Sequence, residues 1–285
     1  MIRYHALHPA TFKLDGGAMF GIIPKPLWEK QIPADDLNRI HLSLRVLCIQ
    51  TDTRVILVDS GIGDYHDLKF KQRFAVEGGA QPLLQVLNEG LGLSPDDVTD
   101  VVVTHLHFDH VGGLGNTGGE FLFPRARLHV HRAHFNYALA PTVRDSGSFQ
   151  TEYFLEVIRR LDVQGRVVWH EGEAGTLLQE GDYQLRYRCS HGHTPWLLHP
   201  YDDKYIYMAD LVPTAAHVPL AWVMGYDIAP GRTTVDKADF YAFIRAKSLT
   251  MVFEHDIKAW GARLGAKDQV GELLPSSGAA CEALP

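Results

Sequence analysis

Between Thr104 and Gly113 the chain reads T-H-L-H-F-D-H-V-G-G, which places His105, His107, Asp109 and His110 within a few positions of one another. Any fold open to this chain has to gather those four side chains in one place. Imidazoles and a carboxylate are costly to bury together unless a cation satisfies them. Imidazole nitrogen and carboxylate oxygen are also the ligands that Zn²⁺ and its first-row neighbours accept. The β-branched run 100–103 ahead of the motif reads as a buried strand, and Gly112-Gly113 behind it permits a sharp turn. On an extended stretch His105, His107 and Asp109 share one face and His110 takes the other. That division suits two cations better than one.

The 285 residues, 46% of them hydrophobic, are enough for a large core. We read 1–275 as a single domain and the small, unpatterned stretch 276–285 as a flexible tail. A net charge of -7 with no Lys/Arg block argues against a nucleic-acid partner. Cys48, Cys189 and Cys281 are too scattered for a disulfide framework or a thiolate metal site, which points to a reducing compartment. The N-terminus lacks a signal-peptide pattern and no apolar run is long enough to cross a bilayer. These features predict a cytoplasmic protein with no membrane partner.

β-rich runs recur at 42–49, 55–59, 101–104, 127–131, 167–169, 183–189, 204–208 and 250–253. Helices are expected at 82–90, along the stripe Phe149, Tyr153, Phe154, Val157, Ile158 and Leu161, and at 235–247. Thr233 with Asp236 reads as the N-terminal cap of the third helix. Strands without strict strand-helix alternation predict an α+β sandwich with helices outside.

Four ligands in one short run cannot close two metal shells, so further ligands must come from downstream. His193, in S-H-G-H-T-P after a strand, is the first candidate, with His191 as its rival. Asp210 and His255 each follow a strand and are weaker candidates. Glu254 and Asp256 flank His255 as rivals for its role but read rather as solvated or supporting groups. Asp59, closing the 55–59 run, is suited to orienting a ligand histidine or a loop amide. His129, His131 and His134 read as exposed faces where a strand enters a helix. His5, His8, His41, His66, His170 and His199 carry no supporting context.

The H-x-H-x-D-H run, the G-H-T-P at 192–195, the strand-end Asp210 and the late His255 resemble the metallo-β-lactamase superfamily in order and spacing. That resemblance implies a four-layer αβ/βα sandwich binding two divalent ions, Zn²⁺ in the first place, with Mn²⁺, Fe²⁺ or Co²⁺ compatible. It implies that His105, His107 and His193 hold one ion, that Asp109, His110 and His255 hold the other, and that Asp210 bridges. Stretches 18–25 and 215–227 are similar to quorum-quenching N-acyl homoserine lactonases and related organophosphate hydrolases. Relatives of that kind suggest a homodimer. Two positions depart from the pattern: Pro213 stands where many such lactonases place Tyr, and Trp196 where many relatives place Gly.

The implied chemistry is the opening of a small lactone or ester, N-acyl homoserine lactones foremost, by hydroxide shared between the two ions. Asp109 would orient the nucleophile and move its proton, and His217 would assist at the oxyanion. Met19, Phe20, Phe108, Trp222 and Met224 would line an acyl-chain wall. A phosphotriesterase or arylesterase would use the same site.

Overall fold

Strand direction decides which loops meet in this chain. The computed structural model describes residues 1–116 and 118–285 and divides into two compact units. The first comprises Met1–Thr11, Leu44–Gly172 and Ser277–Pro285, and the second comprises Phe12–Ser43 and Glu173–Ser276.

In the first unit the strands lie in the order Cys281–Leu284, Arg3–Leu7, Val46–Gln50, Val55–Val58, Asp100–Val102, Arg127–His131, Val167–His170. The pairings as far as Val55–Val58 are antiparallel and the rest are parallel. Parallel neighbours require crossovers, which helices supply here. Helix Ala80–Leu91 buries Leu83, Val86 and Leu87, and helix Thr151–Val163 buries Phe154, Val157, Ile158 and Leu161. Because Val55–Val58 and Asp100–Val102 run parallel, Asp59 and the H-x-H-x-D-H loop leave the sheet at the same edge. Carboxyl ends of parallel strands are where α/β proteins commonly build sites.

That edge is drawn tight by glycines. Ser60 N–H donates to the His110 carbonyl at 2.8 Å and Gly113 N–H to the Gly61 carbonyl at 3.1 Å. A Cβ on Gly63, whose φ is +70°, would lie 1.9 Å from the Gly112 oxygen. Gly63→Ala is therefore expected to cost about 3 kcal/mol, combining left-handed strain with backbone overlap. Urea unfolding measures it; a loss under about 1 kcal/mol would mean that the two loops separate at little cost.

The second unit orders its strands Ala174–Glu180, Tyr183–Ser190, Leu197–Tyr201, Tyr205–Tyr207, Thr250–Val252, Ala259–Leu264, Val270–Pro275. Its one parallel pairing joins Tyr205–Tyr207 to Thr250–Val252, with helix Pro230–Lys247 in the crossover. Antiparallel pairing of Leu197–Tyr201 with both neighbours gives Tyr183–Ser190 the same direction as that pair. Asp210, His255 and His193 accordingly follow strand ends at one edge of this sheet.

Several expectations need correction. The terminal segment is not a free tail: Cys281–Leu284 pairs with Arg3–Leu7, and Leu284 is buried. An open strand edge is a strong template, which outweighs weak local patterning. The 42–49 run divides into strands Arg39–Ser43 and Val46–Gln50, a break that its β-rich composition does not advertise. Helix Pro230–Lys247 starts earlier than the Thr233/Asp236 pair suggested, with proline in its first turn. Those two side chains serve elsewhere, as described below. His129, His131 and His134 do span a strand entering a helix, but all three are buried. His129 bonds Asp100 and His170, and His134 accepts the Leu106 amide at 2.8 Å. Among the described residues no helix is long and apolar enough to cross a membrane.

Candidate metal centre

In the first unit Asp59 organises the motif. One of its oxygens accepts the Thr104 amide at 2.7 Å; the other accepts the Thr104 hydroxyl at 2.8 Å and His110 Nδ1–H at 3.0 Å. Since the Thr104 proton goes to Asp59, its oxygen accepts Nδ1–H of His105 at 3.1 Å. One carboxylate thereby fixes two imidazole tautomers, each directing a bare Nε2 away from Asp59. Asp59 thus takes the orienting position expected of it. His105 Nε2 lies 3.0 Å from His107 Nδ1. Two nitrogens about 2.0–2.1 Å from a common ion sit about 3.0–3.4 Å apart at right to tetrahedral angles. The donor set and its spacing fit a cation. Asp109 and His110 occupy helix Phe108–Val111, with Asp109 Oδ2 3.8 Å from His110 Nε2.

The second unit repeats the scheme. His193 Nδ1–H donates to Asp227 at 3.0 Å, and His255 Nδ1–H donates to the Ser43 carbonyl at 2.8 Å. Their Nε2 atoms face the two different oxygens of Asp210, at 3.0 Å for His193 and 3.1 Å for His255. A carboxylate divided in this way can offer a different oxygen to each of two ions. Burial opposes a charge on His193, yet Asp210 and Asp227 hold its pKa up at about 9. The carboxylates around that ring call for a positive charge, which a metal ion would supply.

The structure also separates rivals. His191 accepts the Trp196 amide at Nδ1 and pairs through Nε2 with Glu173 at 2.8 Å, so both of its nitrogens are engaged. Asp256 caps a turn through the Ala215, Lys258 and Ala259 amides. Glu254 is fully buried and Asp256 nearly so; neither is solvated. His217 does not suit the oxyanion role. Its Nε2–H donates to the Met19 carbonyl at 2.9 Å, and its Nδ1 accepts the Thr214 hydroxyl at 2.8 Å. Neither nitrogen is left for a substrate. Phe20 stacks on His217 and on Trp28 with centroids 4.6 and 5.3 Å apart, and meets Trp222 edge-on. Met19, Phe20 and Met224 are buried, whereas Phe108 and Trp222 are partly exposed. Only those two of the five wall candidates offer surface.

Sequence reading missed Thr104, Asp227 and Asp236. Asp227 meets His193 across 34 positions, and Asp236 accepts the His191 and Gly192 amides across 45 and 44. No local pattern links residues so far apart.

Comparison with known proteins agrees with this geometry. Residues 46–255 match the metallo-beta-lactamase superfamily model, a span that contains every candidate ligand. The chain belongs to the metallo-beta-lactamase superfamily. Its sequence is 30% identical over 143 residues to a probable metallo-hydrolase of Mycobacterium tuberculosis, covering 45% of this chain and 44% of the relative. It is 25% identical over 130 residues to an N-acyl homoserine lactonase of Bacillus cereus, covering 42% and 46%. The matched stretches span less than half of either relative. A probable metal-dependent hydrolase from Staphylococcus aureus superposes with a TM-score of 0.85 at 26% identity over 97% of both chains. AidC, a dizinc quorum-quenching lactonase with a product bound, superposes at 0.74 and 18% identity over 97% and 95%, which speaks to the fold alone. The α+β superfamily fold expected from the motif order is the one found.

Proposed function

We propose that this superfamily member is a dinuclear metal-dependent hydrolase that opens lactone rings, N-acyl homoserine lactones in particular. The observation that carries the reading is Asp210, whose two oxygens face two separately anchored imidazoles. In this reading His105, His107 and His193 hold one ion, Asp109, His110 and His255 hold the other, and Asp210 joins both sets. The all-nitrogen-and-oxygen donor set favours Zn²⁺. Lactonases among the relatives support the substrate class.

The ions, when bound, supply Lewis acidity and acidify water toward neutral pH. The chain supplies the rest. Asp59, Thr104, Asp227 and the Ser43 carbonyl accept the Nδ1–H of His110, His105, His193 and His255 in turn and so aim each Nε2. Asp109 takes the proton of the attacking water and returns it to the departing ring oxygen. The carbonyl carbon gains an oxygen, the ring C–O bond breaks, and the new carboxylic acid ionises. Phe108 and Trp222 present apolar surface to the acyl chain.

A second reading rests on what the site lacks. Pro213 has no hydroxyl, and His217 is fully engaged, so neither offers a donor for a lactone carbonyl. A phosphotriester presents no carbonyl to these positions, and an aryl ester expels a more acidic phenol in place of an alkoxide, so either would depend less on a donor there. Proton release in a pH-stat tests both readings, using metal-analysed protein with an N-acyl homoserine lactone, a simple γ-lactone and an aryl phosphotriester. Acid release from the acyl lactone, abolished by a chelator and restored by Zn²⁺, is the expected result. No lactone turnover by protein holding two ions per chain would overturn it, and triester turnover would then favour the second reading.

A further inference from the structure

Helix Pro230–Lys247 hides a lysine. Lys237 is 0% exposed, and its ammonium donates to the carbonyls of His217 at 2.6 Å, Pro219 at 2.7 Å, Trp222 at 3.2 Å and Leu220 at 3.4 Å. One turn on, Tyr241 donates its hydroxyl to the Val218 carbonyl at 2.5 Å. The two side chains stand on one helix face and between them grip the main-chain oxygens of 217–220 and 222 in a single segment. A buried ammonium is expensive unless such acceptors replace water. Burial indeed pushes the Lys237 pKa down to about 7, with the charge of Asp227 acting the other way.

The gripped segment has candidate metal machinery at both ends. Upstream lies Asp210, and the Pro213 carbonyl there accepts the His255 amide at 3.0 Å. Downstream lies Asp227, which holds His193 and accepts the Met224 amide at 3.2 Å and the Thr233 hydroxyl at 2.9 Å. Between them Gly225 N–H donates to the Ala18 carbonyl, and His217 donates to that of Met19. The Lys237 ammonium has no role in bond-making, because its protons are spent on carbonyls.

We propose that Lys237, assisted by Tyr241, is a positioning residue: it clamps the 217–222 carbonyls, fixes the path from Asp210 to Asp227, and thereby sets how His193 and Asp210 present to a metal ion. The inference rests on the metal reading of His193 and Asp210 given above. A residue that merely filled space would be replaceable by methionine, which matches lysine in length but provides neither charge nor donors.

The test compares full-length Lys237→Met and Tyr241→Phe with the parent in two measurements. Amide hydrogen exchange on metal-free protein should accelerate at 217–227 by about tenfold in Lys237→Met, leaving Tyr183–Ser190 unchanged. In a chelator titration of Zn²⁺-loaded protein, one ion of two should be lost at about tenfold lower chelator, the effect typical of disturbing a ligand's support. Tyr241→Phe should move both readouts in the same direction by about threefold, and it decides the question if Lys237→Met does not fold. Unchanged exchange at 217–227, or Zn²⁺ retention equal to the parent, would overturn the proposal. Parent protein that binds no Zn²⁺ would overturn the metal reading instead, with the exchange comparison still deciding whether Lys237 clamps the segment.

Discussion

Asp210→Ala is expected to remove more metal and more activity than any change to a supporting residue. Its carboxylate faces His193 and His255 through different oxygens, so losing it takes one ligand from each proposed ion at once. It also leaves two buried imidazoles with no negative charge between them, while Asp227 remains beside His193. Asp59→Asn makes the informative comparison. An amide there keeps one oxygen for the Thr104 hydroxyl and His110 Nδ1–H but sets its NH2 against the Thr104 amide, so geometry is weakened without a ligand being lost. Changes to such supports cost about 10–100-fold in metal affinity or activity. Asp59→Asn should fall in that range, and Asp210→Ala should exceed about a hundredfold in kcat/KM with fewer than two ions retained per chain. Metal analysis beside the lactone assay gives both numbers. Two ions retained by Asp210→Ala, with activity within tenfold of the parent, would remove Asp210 from the centre.

The portion of this site legible in the sequence is the portion written locally. The motif from His105 to His110 announces itself because its residues are neighbours and follow a β-branched run. His193, Asp210 and His255 share a weaker signature: each polar residue follows a short strand, and strand direction later shows why such positions gather at one sheet edge. What could not be read is long-range. Thr104 looks like any strand-end threonine until Asp59 takes its proton. Thr233 and Asp236 matched a capping pattern, but their partners proved to be Asp227 and the His191-Gly192 amides, because proline and packing already started the helix. Histidine burial was misjudged for a related reason. His129 and His134, read as exposed, satisfy their polar atoms inside the fold, as His199 and His217 also do, so hydrophilicity along the sequence was no guide to exposure.

Two of these rings, His199 and His217, should make the protein sensitive to acid. His217 donates from Nε2 to a carbonyl and accepts a hydroxyl at Nδ1; His199 donates from Nδ1 to the Tyr207 carbonyl and accepts the Ser190 hydroxyl at Nε2. Each ring is locked as the neutral tautomer, and burial pushes the pKa of each down to about 3. An unfolded histidine takes its proton near pH 6.5. Above that pH neither state is charged, and stability does not depend on the ring. Below it the unfolded chain binds a proton that the folded chain refuses until about pH 3, so stability falls with pH by about 1.4 kcal/mol per unit for each ring. His217→Gln, neutral at every pH, should be less stable than the parent at pH 7 because it loses the Phe20 stack. The deficit should then shrink by about 1.4 kcal/mol per unit between pH 6 and 4, since only the parent carries the penalty. Using the difference between variants cancels the carboxylates and ligand histidines common to both. Denaturant unfolding of both proteins in chelator across that range measures it, with His199→Gln as an independent repeat. A gap constant from pH 6 to pH 4 would show that His217 charges within the fold, and that its partners at Met19 and Thr214 tolerate an imidazolium.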